Sequence, residues 1–250
     1  MADLNEVFAD TGAQLDRIVY AYERKAPSHP ETIVEYANGS ISSFNIVGTI
    51  NSNSIQNKSS VIKIDIGSNV TSIANKAFSK QNGYSSIKTL IIPDSVISSE
   101  GSICYQSSTL THVEIGNGLS SVPWGAFEWC SSLKSVTFPK NLKSIGGNAF
   151  SECLNIPEIT IPATVTNIGS NAFHDCVSLS CITCECSTAP TAGSNVFGGV
   201  NGIGTYTGRN TYTAGTNVLR IPTGATGYNA SYWLDPLQNA SKCGFHIEYI

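Results

Sequence analysis

Apolar and polar positions recur with a fixed spacing through the middle of the chain. Five segments align as rows: VIKIDIGSNVTSIANKAF, IKTLIIPDSVISSEGSIC, LTHVEIGNGLSSVPWGAF, LKSVTFPKNLKSIGGNAF and IPEITIPATVTNIGSNAF. They begin at Val61, Ile87, Leu110, Leu133 and Ile156, and a degenerate sixth begins at Leu179. The step is 23 residues throughout except the first, which is 26 because of an insertion near Gln81–Tyr84. A repeat of this length is the signature of stacked supersecondary units, each unable to bury its own apolar face.

Each row has the same parts. A short alternation opens it, with apolar residues at offsets 0, +3 and +5, as in Leu133, Val136 and Phe138. Period-2 alternation predicts a strand with these residues inward. Pro or Gly at +6 (Gly67, Pro93, Gly116, Pro139, Pro162) ends the strand. Apolar residues follow at +9 (Val70, Val96, Leu119, Leu142, Val165) and +12 (Ile73, Val122, Ile145, Ile168), with Ser99 breaking the second column. Phe closes the unit at +17 (Phe78, Phe127, Phe150, Phe173), with Cys104 in its place once. Cys fills +20 in three rows (Cys130, Cys153, Cys176), and Ser107 fills it in another. Stacking the rows predicts parallel strands about 4.8 Å apart. The apolar columns become ladders inside one core, with Phe opposite a continuous sheet.

The two ends differ from the repeat. Leu4, Phe8, Thr11, Leu15, Ile18 and Tyr22 are spaced 4, 3, 4, 3 and 4 apart, which predicts a helix over residues 1–25. Two readings fit it: a short oligomerising coiled coil, or an amphipathic helix covering the first repeat. ETIVEYANGSISSFNIVG reads as two strands around Asn38-Gly39, a hairpin leading into the solenoid and covering its edge. Residues 201–217 are rich in Gly, Thr and Asn and predict an exposed loop. Val218–Ile221 reads as the last strand, and residues 228–250, with Trp233 and Phe245, as the end seal. The organisation is thus a helix and hairpin cap over 1–58, a solenoid over 59–200, and a loop, strand and cap over 201–250.

The row pattern L-x-x-I-x-I-P-x-x-V-x-x-I-G-x-x-A-F-x-x-C resembles the BspA-like leucine-rich repeats of bacterial surface proteins, over roughly residues 59–200. CITCECSTAPTAGSNVFGG and LRIPTGATGYNASYW resemble the degenerate last turn and C-terminal cap of that family. The resemblance implies an α+β repeat architecture: a leucine-rich-repeat solenoid with a parallel sheet of short strands, an N-terminal helix plus β-hairpin, and a C-terminal cap. It also implies a non-enzymatic surface or secreted adhesion protein that binds a protein or glycan, and an extracellular or cell-surface location. The N-terminus MADLNEVFADTG lacks a basic segment followed by an apolar one, so no signal peptide is visible in it. A structural subunit of a phage or surface fibre, oligomerised through residues 1–25, is the alternative.

Composition narrows the partners. The 250 residues carry 14 Lys and Arg against 18 Asp and Glu, a net charge of −4. No basic run exists, which argues against nucleic acid. No apolar stretch is long enough for a membrane helix, so membrane insertion is not expected. The outward positions +2 and +4 predict a polar sheet face of Lys63, Asp65, Thr89, Ile91, His112, Glu114, Ser135, Thr137, Glu158 and Thr160. That face is either a ligand-binding surface or a solvated one. Trp124 and Trp129 interrupt the consensus where other rows carry small or polar residues. Packing against Gln81–Tyr84 or Tyr105 is the expected reading, and an aromatic patch that anchors a partner is the other.

Candidate chemistry is sparse. Cys181, Cys184 and Cys186 form C-x2-C-x-C, but strand alternation puts Cys181 on the face opposite the other two, so no metal site is expected. The ladder Cys130, Cys153 and Cys176 is expected to stay as thiols, because ladder side chains run parallel. His112 and Glu114 share an outward face and are expected to be an exposed surface pair. No cofactor motif and no catalytic residue is expected.

Overall fold

The computed structural model describes residues 29–200, 217–228 and 245–250. The helix expected over 1–25, the loop over 201–216, Trp233 and Cys243 lie outside these residues. Among the described residues the regular structure is strands with two short 3-10 turns.

The opening alternation of each row forms the expected strand. Val61–Asp65, Thr89–Ile92, His112–Ile115 and Ser135–Thr137 pair in parallel, one turn on the next. The hairpin forms around Asn38-Gly39, with Thr32–Tyr36 antiparallel to Ile41–Phe44. Thr32–Tyr36 also pairs antiparallel with Val61–Asp65, so the hairpin occupies the edge that the first turn would leave open.

The expected continuous sheet is interrupted. Glu158–Ile161 pairs with Cys181–Cys184, then Asn217–Ile221, then Phe245–Tyr249, as a second parallel sheet. Nothing pairs Ser135–Thr137 with Glu158–Ile161. The cause lies at offset +1. There, each turn's N–H donates to the +1 carbonyl of the turn before: Lys88 to Ile62 at 2.8 Å, Thr111 to Lys88 at 2.8 Å, Lys134 to Thr111 at 2.9 Å. The next +1 residue is Pro157, which has no N–H. The ladder resumes only when Ser180 donates to the Pro157 carbonyl at 2.9 Å. A second correction concerns the end of the chain: Val218–Ile221 is not the last strand, because Phe245–Tyr249 adds beyond it.

A second ladder, not anticipated from the sequence, runs along offsets +11 and +12, one residue later in the degenerate sixth row. Ser121–Val122, Ser144–Ile145, Asn167–Ile168 and Thr191–Ala192 pair in parallel, and Gly48–Ile50, Val70–Ile73 and Ser98–Ser99 form a shorter set. Glycine at +13 lets the turns close up behind it. A Cβ on Gly169 would stand 2.4 Å from the Gly147 amide nitrogen, and one on Gly146 would stand 2.7 Å from the Pro123 carbonyl carbon.

Between the ladders sits one core. Phe127, Phe150, Phe173 and Phe197 stack with centroids 5.3–5.6 Å apart. Cys104 interrupts this column, and the insertion compensates. Its 3-10 turn Lys80–Asn82 delivers Tyr84 into the core, edge-on to Phe78 at 5.6 Å and beside Cys104.

The +20 column is a ladder of its own. Ser107 donates to the Phe78 carbonyl at 3.0 Å, Cys130 to Cys104 at 2.9 Å, Cys153 to Phe127 and Cys176 to Phe150, both at 3.2 Å. Each side chain thus satisfies the +17 carbonyl of the turn before. The seven described cysteines are free thiols, and burial pushes those at 130, 153 and 176 well above the usual 9.0. A thiol pKa raised by folding gives stability that is complete below pH 9 and falls as the pH rises above it, where the unfolded thiols ionise first. The urea midpoint is therefore expected to drop between pH 8 and about 10. Replacing all three cysteines by Ser keeps a donor in the column, as Ser107 already shows, and is expected to flatten that drop. An equally steep drop in the variant would contradict the assignment.

Candidate functional site

The strand face follows from register. Lys63, Thr89, His112 and Ser135 fall in one outward column, and Asp65, Ile91, Glu114 and Thr137 in the next. Beyond the Pro157 interruption, Glu158 and Thr160 begin the same two columns on the second sheet. The sequence-derived face is therefore one in pattern but two in hydrogen bonding.

Its two halves differ in access. In the first half Lys63, Asp65, Thr89 and His112 are half-buried, and Glu114 is only 9% exposed. His112 and Glu114 are therefore not the exposed pair expected. His29 Nε2 reaches Asp65 at 3.3 Å. Burial raises the Asp65 carboxyl above its ordinary value, while His29 and Lys63 pull it back down. His112 Nδ1 lies 2.6 Å from Ser135 Oγ. That contact has the outline of a base and a hydroxyl, but the Ser135 N–H is donated to the Thr111 carbonyl at 3.3 Å. An oxyanion would need such backbone donors turned outward. Around the interruption the face opens: Ser135, Glu158 and Thr160 are exposed, and Thr137 is half-exposed.

At the far end, residues that the sequence reading missed complete the columns. Arg220 donates to Glu248 at 2.9 Å and to Cys181 Sγ at 3.1 Å. The pairing of Asn217–Ile221 with Phe245–Tyr249 brings them together, and no repeat spacing announces it. Cys181 faces outward to Arg220, whereas Cys184 and Cys186 are buried, as alternation predicts. The three sulfurs do not converge. Tyr228 seals the inner pair, donating its hydroxyl hydrogen to the Cys186 carbonyl at 2.8 Å, with Cys184 Sγ 3.1 Å from the same oxygen. Among the described residues no group of three or more His, Cys, Asp or Glu side chains is placed to hold a metal ion, and no helix is long and apolar enough to cross a membrane.

A second surface lies on the loop side. Trp124 and Trp129 are 60% and 46% exposed, so neither is enclosed by its neighbours. Trp129 has φ +65°, and Gln106, Glu152 and Asp175 take the same left-handed turn in the rows around it. Offset +19 thus carries Trp129, Glu152 and Asp175 in succession, with Glu128 one residue before. Burial raises the carboxyls of Glu128 and Glu152, and Asp175 raises Glu152 further. His174 lies against Asp175 at 3.1 Å. Reading down +18 and +19 in the aligned rows would have exposed this acidic column.

Comparison with known proteins agrees with the geometry. A family model described as BspA type leucine rich repeat region matches in six copies, over residues 31–109, 48–180 and 98–218. No curated protein is a significant match. Among solved structures, a leucine-rich repeat protein from Bacteroides ovatus is 24% identical, with TM-score 0.55, over 76% of this chain and 42% of that one. The T. pallidum leucine rich repeat protein is 26% identical, with TM-score 0.43, over 54% of this chain and 69% of that one. A leucine rich cell surface protein from Faecalibacterium prausnitzii is 22% identical, with TM-score 0.31, over 64% of this chain and 54% of that one. The Bacteroides ovatus likeness shows the fold, and the chain spans less than half of that protein's length.

Proposed function

The chain belongs to the BspA-type leucine-rich-repeat family, and from that premise we propose that it is a non-enzymatic recognition module, acting at the cell surface or outside the cell. It would hold a protein or glycan against the outward strand face. The observation that carries this reading is the change in access along that face. Lys63, Asp65 and Glu114 are drawn into the structure, whereas Ser135, Glu158 and Thr160 stand open on both sides of the Pro157 interruption. Strands without ladder hydrogen bonds between them still present one row of polar side chains there. Such a row suits an extended partner, as in other solenoids.

The test is equilibrium binding of the full chain to panels of purified proteins and of glycans. Where a ligand is retained, the variant Ser135→Ala/Glu158→Gln/Thr160→Ala is expected to weaken it about tenfold or more, the size of a small cluster of central contacts. The circular dichroism spectrum should not change, since all three side chains are exposed. Undiminished affinity would remove the strand face as the site, and no retained ligand in either panel would remove the recognition reading.

A further inference from the structure

Trp124 and Trp129 do no work for the fold that their neighbours in the stack do not do with smaller groups. At Trp124's offset the other rows carry Asn75, Gly101, Gly147 and Ser170. At Trp129's offset they carry Lys80, Gln106, Glu152 and Asp175. The left-handed backbone there is the same whether the side chain is Trp, Gln, Glu or Asp, so the turn does not call for an indole. Two of the largest apolar side chains are nonetheless set out in solvent on one turn.

What surrounds them carries more carboxylates than cations: Glu128, Glu152 and Asp175 against Lys76 and His174. Burial raises the Glu128 carboxyl, and the Trp129 side chain beside it holds it down against that rise. The Glu128 carboxylate also lies 3.2 Å from where a Cβ on Gly125 would be, and Gly125 directly follows Trp124. Glu128 therefore stands over Gly125 on the same turn as both indoles, next to Trp129. Trp124 is laid over Gly147 of the next turn, its Cδ1 3.2 Å from that residue's would-be Cβ. The carboxyls of Glu152 and Asp175 continue from Trp129 along the stack, and burial together with Asp175 raises the cost of ionising Glu152. One turn earlier the chain shows how a cation fits such a setting. The Lys76 ammonium lies 4.8 Å from the centroid of the Tyr105 ring and acts on Glu128.

We propose that this loop-side patch docks a cationic polypeptide segment, with Lys or Arg side chains lying over Trp124 and Trp129 and their charge directed to Glu128 and Glu152. The proposal rests on the recognition reading and gives it a partner class and a second surface. Charge complementarity selects the occupant. Indole faces attract ammonium and guanidinium groups, and crowded carboxylates gain from a cation that relieves their repulsion. The net charge of −4 favours the encounter.

The probe is a fluorescein-labelled dodecapeptide of alternating Lys and Gly, titrated with the full chain and read by anisotropy. A Glu/Gly dodecapeptide and a panel of neutral glycans serve as comparisons. The Lys peptide is expected to bind, the Glu peptide not to, and affinity to fall as salt is raised. Trp124→Ala/Trp129→Ala is expected to lower affinity about tenfold or more. Glu128→Gln/Glu152→Gln, which leaves both indoles in place, is expected to do the same, with unchanged circular dichroism. The strand-face triple variant should bind the peptide as the parent does. No binding of the Lys peptide, binding that neither patch variant weakens, or a requirement for the two tryptophans in retaining a neutral glycan would each overturn the proposal. The recognition reading fails separately, only if the strand-face panels also retain nothing.

Discussion

Phe150→Ala is expected to cost about 3–5 kcal/mol, the range for removing a fully buried Phe. The ring is fully buried and stacked between Phe127 and Phe173, at 5.4 and 5.3 Å, with Phe138 edge-on at 5.6 Å. Its position should put the loss at the top of that range. Between the turns that begin at Leu133 and Ile156 the strand ladder is missing, because Pro157 cannot donate. These turns are held by the second ladder, where Ser144–Ile145 pairs with Asn167–Ile168, by loop-side bonds such as the Phe150 N–H donated to Ala172 and the Glu152 N–H donated to His174, both at 2.8 Å, by the Cys176 thiol on the Phe150 carbonyl, and by the Phe stack. In a solenoid stability is a sum of turns and nearest-neighbour interfaces. Weakening the interface that already lacks one ladder should uncouple the two halves. Urea denaturation followed by near- and far-ultraviolet circular dichroism should show a lower midpoint and a second transition. A loss under about 1 kcal/mol, or a single transition at the parent midpoint, would show that the halves are not joined through this stack.

Gly169→Ala is expected to destabilise by roughly the upper part of the 1–3 kcal/mol that overpacking costs. The added methyl would sit 2.4 Å from the Gly147 amide nitrogen and 2.8 Å from the Gly146 carbonyl carbon. These are backbone atoms, so no side chain can rotate away, and the turns must separate. They would do so across the same weak interface, pulling on the Gly169 N–H donated to Ile145 at 2.8 Å. Thr160→Ala, on the exposed face of the same turn, should change stability by less than about 0.5 kcal/mol. Thermal melts of the two variants side by side decide the matter. Equal midpoints would mean that the close approach at +13 is dispensable.

The columns were legible because stacking repeats them. The apolar residues at 0, +5, +9 and +12, the Phe at +17 and the Cys at +20 lie where aligning the rows puts them, and the Asn38-Gly39 hairpin follows from local turn chemistry. What escaped depends on relations between turns that spacing alone does not encode. Pro157 is plain in the sequence, but its effect requires knowing that each +1 N–H serves the turn before. The second ladder is built from strands of two residues in most turns, too short for alternation to register. Phe245–Tyr249 lies beyond the last repeat, so its pairing with Asn217–Ile221, and the Arg220–Glu248 contact it creates, have no periodic signal. Of the site, the order of residues along the strand face could be read, but not their access. Alternation gives Glu114 an outward direction and cannot show that it is covered. The same limit applies to Trp124 and Trp129, whose unusual positions were visible and whose exposure was not.

Carbodiimide labelling of carboxylates, with the full chain free and then saturated with a ligand retained from the panels, shows most directly whether the strand face is a recognition surface. Glu158 should label readily in the free chain and lose most of that labelling in the complex, while Glu100, exposed on a loop away from the strand columns, keeps its own. A Glu158 that labels equally in both states, with protection appearing elsewhere, would contradict a binding face built on the outward strand columns.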